Sequence, residues 1–407
     1  MKWQALNRVL GGALLVTGTC IGAGMLGVPI ATAAGGFYPA AAAFIFCWMM
    51  MTLSAFLMLE ISLCYPEGSN LISMAQATLG QSGKWIAWVC YLLFLYSLMA
   101  AYTSGGSGIV AKIFNKLGIA EELSVLAFVG FFAVFIYLGT QWVDGINRIM
   151  MVGLIVAYVA LVSIAAPEVE IEKLHNGEAK FLFMSAPLLV TAFGFHLLIP
   201  SLKNYMHSHV KELRLAIFLG GLLPLIVYLL WEWVVLGLVP VYGEAGLLAL
   251  DKSPQPVVAL SQALSGTLNN QWMTLFARIF SFCAILTSFV GVALGLFDFL
   301  SDGFHIKRSP TGKIILTVLT FLPPTLFSLF YPAGFLLALR YAGVFAAILL
   351  VMYPALMVWC HRYHLRQKSE YQVFGGRGVL LLVMIFGCGV ICLEVLQELH
   401  LLPLPNM

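Results

Sequence analysis

Eleven apolar stretches, each long enough to cross a bilayer, follow one another along this 407-residue chain. About 20 apolar residues in a helix span a hydrocarbon core of about 30 Å. The stretches lie near residues 9–34, 38–64, 84–111, 124–140, 146–166, 181–202, 215–239, 271–300, 314–331, 334–360 and 378–399. Lipid offers the backbone no hydrogen-bond partner, so each segment must satisfy its own groups, as a helix does. Nothing here alternates with the two-residue period of a barrel strand. The expectation is an all-α polytopic membrane protein with about eleven transmembrane helices. Composition agrees, because 61% of residues are hydrophobic and only 10% charged, against about 25% charged in a soluble domain.

Several other classes fall away on the same evidence. The first stretch, behind Lys2 and Arg8, is too long and too interrupted by glycine for the apolar core of a signal peptide, so its retention is expected. The eight cysteines fall inside or at the ends of spans and form no ligand-like pair, which supports neither a disulfide framework nor a metal site. The longest stretch between spans, about 240–270, is too short for an added soluble domain of the kind a sensor or scaffold carries. An enzyme would need a nucleophile and base, or a metal cluster, converging inside the spans, and no such set is present. Nucleic-acid binding has no support, and no cofactor is implied.

Charge sets the expected orientation. With the N-terminus inside, Lys203, Lys211, Arg214, Lys307, Arg308, Lys313, Arg362, Arg366, Lys368 and Arg377 all fall on the cytoplasmic side. Only Lys112, Lys116, Lys173, Lys180 and Lys252 fall outside, as the positive-inside tendency requires. An odd number of spans then puts the C-terminus on the far side. The tract HRYHLRQK, ending at Lys368, reads chiefly as a topology determinant.

Two spans are interrupted at matching depth. The first carries GTCIGAGMLGVP, in which Gly18, Gly22, Gly24 and Gly27 precede Pro29; the sixth carries TAFGFHLLIP, with Gly194, His196 and Pro200. Glycine and proline weaken the helical hydrogen-bond ladder. Close helix packing alone would explain the glycines, but paired interruptions in corresponding spans point to an inverted-repeat transporter. Half-helix N-termini suit a carboxylate and freed carbonyls suit a cation, so a zwitterion such as an amino acid fits the place where they meet.

At these motifs, and in AAYTSGG, TSFVGVALGLFDFLSDGF and TFLPPTLFSLFYPAGFLLALRYAGV, the chain resembles the bacterial hydroxy and aromatic amino acid permeases, in their tyrosine and tryptophan branch. The resemblance covers nearly the whole chain. It implies a LeuT-type fold of five plus five inverted helices and one extra, with repeats near 9–166 and 181–360 and the extra helix near 378–399. It implies ion-coupled import of tyrosine or tryptophan across the inner membrane, with the N-terminus cytoplasmic and the C-terminus periplasmic. Ile21, Gly22, Ala23 and Gly24 would meet the amino acid backbone, Phe193, Gly194, Phe195 and His196 would complete the cradle, and Tyr102 would hydrogen-bond substrate. A permease for serine or threonine is the alternative within transport, and a non-transporting sensor or scaffold the alternative outside it.

The coupling ion, sodium or proton, is left open by the residues. AILTSFVGV places Ala284, Thr287 and Ser288 in a pattern similar to the sodium site of sodium-coupled members of this fold, with Gly18 and Ile21 supplying carbonyls. Back-bonding of both hydroxyls to their own helix is the plain alternative. The resemblance also implies a lysine on the fifth helix in proton-coupled members, whereas here Leu154 stands at that position, which favours sodium. His196 and Glu232 are the proton candidates, since ionisable groups are costly in lipid. Arg340 is a candidate gate, while Glu60 and Arg278 read as structural anchors.

Overall fold

The computed structural model describes Lys2–Leu402 apart from residues 117, 121, 208, 245, 252, 254, 269 and 368. Lys252 and Lys368, counted in the charge distribution, lie outside the described residues. Helices account for all regular structure among those residues.

The first span is broken, as its glycines predict. Helix α1a, Lys2–Cys20, and helix α1b, Gly24–Thr32, meet at 59° across the non-helical residues 21–23. Then follow α2, Phe37–Leu63, α3, Leu71–Lys116, α4, Glu122–Leu138, and α5, Thr140–Ala165. The sixth span is entered through a tight turn at Ala179–Ser185 and is likewise split, into α6a, Ala186–Ala192, and α6b, Ile199–Tyr205. Helix α7 is Val210–Leu238, and two short helices, Leu247–Asp251 and Pro256–Leu268, fill the connection to α8, Gln271–Gly303. Helices α9, Pro310–Phe330, α10, Phe335–His364, and α11, Gly376–Glu398, complete the chain.

Nine of these are individually long and apolar enough to span a membrane, the bent α1 pair adds a tenth, and α4 is a shorter apolar helix. All eleven expected segments are therefore helical. The third is longer than its sequence suggests, because residues 71–79, in which apolar and polar side chains are mixed, form a first arm that turns into the long apolar arm at Gly80, whose φ of 75° favours glycine. Local chemistry sets several starts. Asn70 Oδ1 accepts from Ser73 N at 2.9 Å at the head of α3, and Ser309 Oγ accepts from Gly312 N ahead of Pro310 in α9. Two wide turns loosen α10, and Ser54 Oγ on α2 donates to the Leu350 carbonyl inside the first.

Packing sorts the helices into two groups. Helices α1, α2, α6 and α7 contact one another, with α1a lying along α7 and both halves of α6 against α2. Helices α3, α4, α8 and α9 form the second group; α5 lies on α8, α10 bridges α3 and α6a, and α11 covers α10. The two breaks lie where the groups face each other.

Candidate substrate site

Helix α7 holds the broken α1 in place along its length. Thr17 Oγ1 donates to the Gly220 carbonyl at 3.1 Å on the near side of the break. At the break itself the Tyr228 hydroxyl lies 2.5 Å from the Cys20 carbonyl and 3.0 Å from the Ala192 carbonyl, so one side chain faces the exposed ends of both α1a and α6a. Beyond the break Trp231 Nε1 donates to the Met25 carbonyl at 3.1 Å, and Thr32 is hydrogen-bonded to Glu232. Breaking a helix strands carbonyls that cost free energy when buried without a partner. Trp231 donates to one of them, and the single hydrogen of Tyr228 serves the Cys20 or the Ala192 carbonyl.

Across from α7, Ser288 on α8 takes the other side of the break. Its Oγ accepts from Ala23 N at 2.9 Å and is hydrogen-bonded to the Tyr102 hydroxyl from α3. A Cβ on Gly22 would lie 2.1 Å from that oxygen, so any side chain here would displace the Ser288 hydroxyl. Gly194 in the sixth span is similarly confined, its Cβ position 3.0 Å from the Thr191 carbonyl and 3.2 Å from Leu350.

Between the breaks lies a cavity of about 510 Å³, within the range of about 300–1,000 Å³ typical of small-molecule sites. Gly18, Ile21, Tyr102, Gly194, Phe195, Thr287 and Ser288 line it, together with Tyr91 and Phe94 of α3, Thr191 of α6a and Asn147 of α5. The lining is mostly apolar and aromatic, with hydroxyl-bearing residues contributed by α1a, α3, α6a and α8. The other expected site residues stand behind it. Gly22, Ala23 and Gly24 form the chain path at the break, and Phe193 meets Tyr228 edge to face with centroids 5.4 Å apart. His196 is fully buried with its ring toward the Met51 backbone of α2, and it is not among the residues that line the cavity.

The cation candidates divide in the same way. Gly18, Ile21, Thr287 and Ser288 share the cavity, while Thr287 Oγ1 donates to its own helix, to the Cys283 carbonyl at 3.0 Å and the Ala284 carbonyl at 3.2 Å. No group of three His, Cys, Asp or Glu side chains able to hold a metal occurs among the described residues. Arg340 lies away from the cavity, 3.8 Å from Glu394 on α11. Glu60 is paired with both guanidinium nitrogens of Arg362, at 2.7 and 2.5 Å.

Two further pockets lie beside the cavity. Where α3 meets the start of α10, the fully buried Phe335 ring sits 3.0 Å from where a Gly105 Cβ would be and 3.4 Å from a Gly27 Cβ. Beyond it lies a separate pocket of about 260 Å³ lined by Ser104, Ser107 and Pro332. In the opposite direction the cavity shares Tyr91, Leu197 and Gly295 with a polar pocket of about 280 Å³ that reaches Asn70, Asp298 and Asp302. Sequence reasoning missed Tyr228, Trp231 and Phe335. Only Trp231 had a signal, since Pro29 has no N–H for the carbonyl four residues before it, that of Met25.

Two discontinuous helices crossing beside a central cavity, with the bundle sorted around them into two facing groups, define a multi-pass membrane transporter of LeuT-type fold. The chain belongs to the tryptophan/tyrosine permease family, whose model matches residues 5–394; it is a permease and not an enzyme. It is 36% identical to the tyrosine-specific transport system 1 of Haemophilus influenzae over 94% of this chain and 95% of that one. It is 34% identical to the tryptophan-specific transport protein of the same organism, over 95% of each chain. Among solved structures it is similar in fold to MhsT in complex with L-phenylalanine, with a TM-score of 0.65 at 14% identity, covering 95% of this chain and 98% of that one.

Proposed function

We propose that this permease imports an aromatic amino acid, tyrosine or tryptophan, across the bacterial inner membrane by ion-coupled alternating access. The observation that carries the reading is the cavity at the two breaks, lined by the aromatic rings of Tyr91, Phe94 and Phe195 and by the hydroxyl-bearing Tyr102 and Ser288. An aromatic ring needs such an apolar slot, and a phenol or indole N–H needs one polar partner beside it. The relatives named for tyrosine and tryptophan transport extend over nearly the whole chain, which supports the same substrate class.

In this reading the backbone of residues 21–24 and 193–196 receives the carboxylate and amino group, residues 9–166 and 181–360 are the two repeats, and the N-terminus is cytoplasmic with the C-terminus periplasmic. The cavity then continues toward the cytoplasm, with Phe335 closing the periplasmic side. Sodium would sit among the carbonyls of Gly18, Ile21 and Ala284 and the hydroxyls of Thr287 and Ser288. The Thr287 hydrogen turned back into its own helix leaves that oxygen's lone pairs free for a cation.

Uptake of labelled tyrosine and tryptophan into proteoliposomes, with sodium and proton gradients imposed separately, tests both parts. Sodium-driven uptake abolished in Thr287→Ala and Ser288→Ala is expected. Uptake indifferent to sodium removes the α8 cation site, and competition by serine or threonine rather than aromatic amino acids removes the aromatic substrate.

A further inference from the structure

Glu232 is the most deeply buried acid on α7, with no solvent exposure at all. Among the described residues its surroundings supply no positive charge. From α1b it meets the Thr32 hydroxyl, and no other described side chain interacts with it electrostatically. Tyr158, the polar residue of α5 near Trp231, directs its hydroxyl to the Val227 carbonyl at 2.9 Å. Lys173, in the short turn packed on the outer end of α7, directs its Nζ to the Leu238 carbonyl and to Glu170. Oε2 of Glu232 has no partner among the described residues.

The hydrogen count at Thr32 is informative. Its Oγ1 lies 2.8 Å from the Val28 carbonyl, the geometry of ordinary back-bonding, and is also hydrogen-bonded to Oε1 of Glu232. A hydroxyl has one hydrogen. Directed at Val28, which can only accept, it leaves the Thr32 oxygen as an acceptor. The hydrogen between the two side chains then comes from the carboxyl. Burial demands the same outcome, because an ionised carboxylate without a cation or a full set of donors is held far less readily inside a protein than its neutral form.

We infer that Glu232 is a proton-binding site at the contact between α1b and α7, occupied in the arrangement seen here and emptied when α1b withdraws Thr32 and admits water. Trp231, the next residue, holds the same half-helix at Met25, so loading and unloading the proton is tied to the position of α1b. The site is separate from the cation candidates on α8, and its consequence for transport rests on the reading of the chain as an ion-coupled permease. The proton is then exchanged on the side to which α1b opens, once per transport cycle, so that turnover depends on the proton gradient as well as on any ion bound at α8.

Infrared difference spectra of the purified protein in lipid test the site directly. Wild type at neutral pH should show the carbonyl band of a protonated carboxylic acid, missing in Glu232→Gln and shifted in Thr32→Val, where its hydrogen-bond partner is lost. Spectra identical among the three proteins would overturn the proposal. If Glu232→Gln fails to fold, the Thr32→Val shift against an unshifted Thr32→Ser decides the question alone. In proteoliposomes an imposed proton gradient should change the uptake by wild type and leave that by Glu232→Gln unchanged. Equal responses would overturn the coupling role. Absence of aromatic amino acid transport by wild type would defeat the functional reading and leave the infrared result to stand on its own.

Discussion

The indole N–H of Trp231 donates at 3.1 Å to the Met25 carbonyl, the one group in α1b that Pro29 cannot serve because it has no N–H four residues on. A helix interrupted by proline is stable in a bundle when a neighbour supplies the missing donor. Trp231→Phe keeps the ring and removes the donor. It should lower thermal stability by about 1–2 kcal/mol, the cost of a stranded buried carbonyl. Unfolding of wild type and variant in the same lipid checks this, and equal midpoints would show that the indole N–H contributes nothing.

The contact also marks where sequence reading reached its end. Apolar length revealed the spans because the bilayer imposes it on each segment independently. Glycine and proline revealed both breaks because they act on the backbone locally. Facing was not legible. His196 sits within the sixth-span motif, yet its ring turns to α2 and away from the cavity. Tyr228 serves Cys20 and Ala192 from another helix, and nothing in its own neighbourhood separates it from the other 14 tyrosines of the chain. Phe335 acquires its place from glycines on two distant helices. The first arm of α3 was missed because its apolar residues, interspersed with Ser73, Gln76 and Thr78 and ended by Gly80, form no uninterrupted run of spanning length.

Gly22 and Ser288 should behave as a coupled pair. In Gly22→Ala the new methyl would sit 2.1 Å from Ser288 Oγ, and overpacking of this kind costs about 1–3 kcal/mol. Removing the hydroxyl in Ser288→Ala leaves the nearest heavy atom, Ser288 Cβ, 3.5 Å from that methyl, an ordinary contact. The double variant should therefore be more stable than Gly22→Ala alone, although both should transport poorly. Additive losses in a double-mutant cycle of unfolding free energies would rule out the steric coupling.

Phe335 should control closure rather than binding. Its ring packs against Gly105, in the stretch of α3 that runs from Tyr102 at the central cavity to Ser104 and Ser107 at the neighbouring pocket. Phe335→Ala should join the two spaces and hold substrate less securely against backflow. Steady-state accumulation should fall more than the initial rate of exchange across loaded proteoliposomes. An equal loss of both would mean that the ring only supports the fold, whose stability a Phe→Ala change lowers by about 3–5 kcal/mol in any case.

The strongest buried charge pair should act on stability. Glu60 is 1% exposed and Arg362 9%; the carboxylate takes both guanidinium nitrogens and the Val373 amide at 2.8 Å, while Arg362 Nη2 also donates to the Val373 carbonyl at 3.0 Å. This network ties the end of α2 to the end of α10 and to the connection before α11. Glu60→Gln would leave a buried guanidinium without its counter-charge, a loss of about 3–5 kcal/mol when one partner of such a pair is removed. Replacing both, as Glu60→Leu with Arg362→Met, should restore most of that loss, because two apolar side chains of similar size avoid the desolvation cost. Thermal unfolding of the three variants decides the matter: a double variant no more stable than Glu60→Gln would show that the Val373 contacts, and not the balance of charge, hold these segments together.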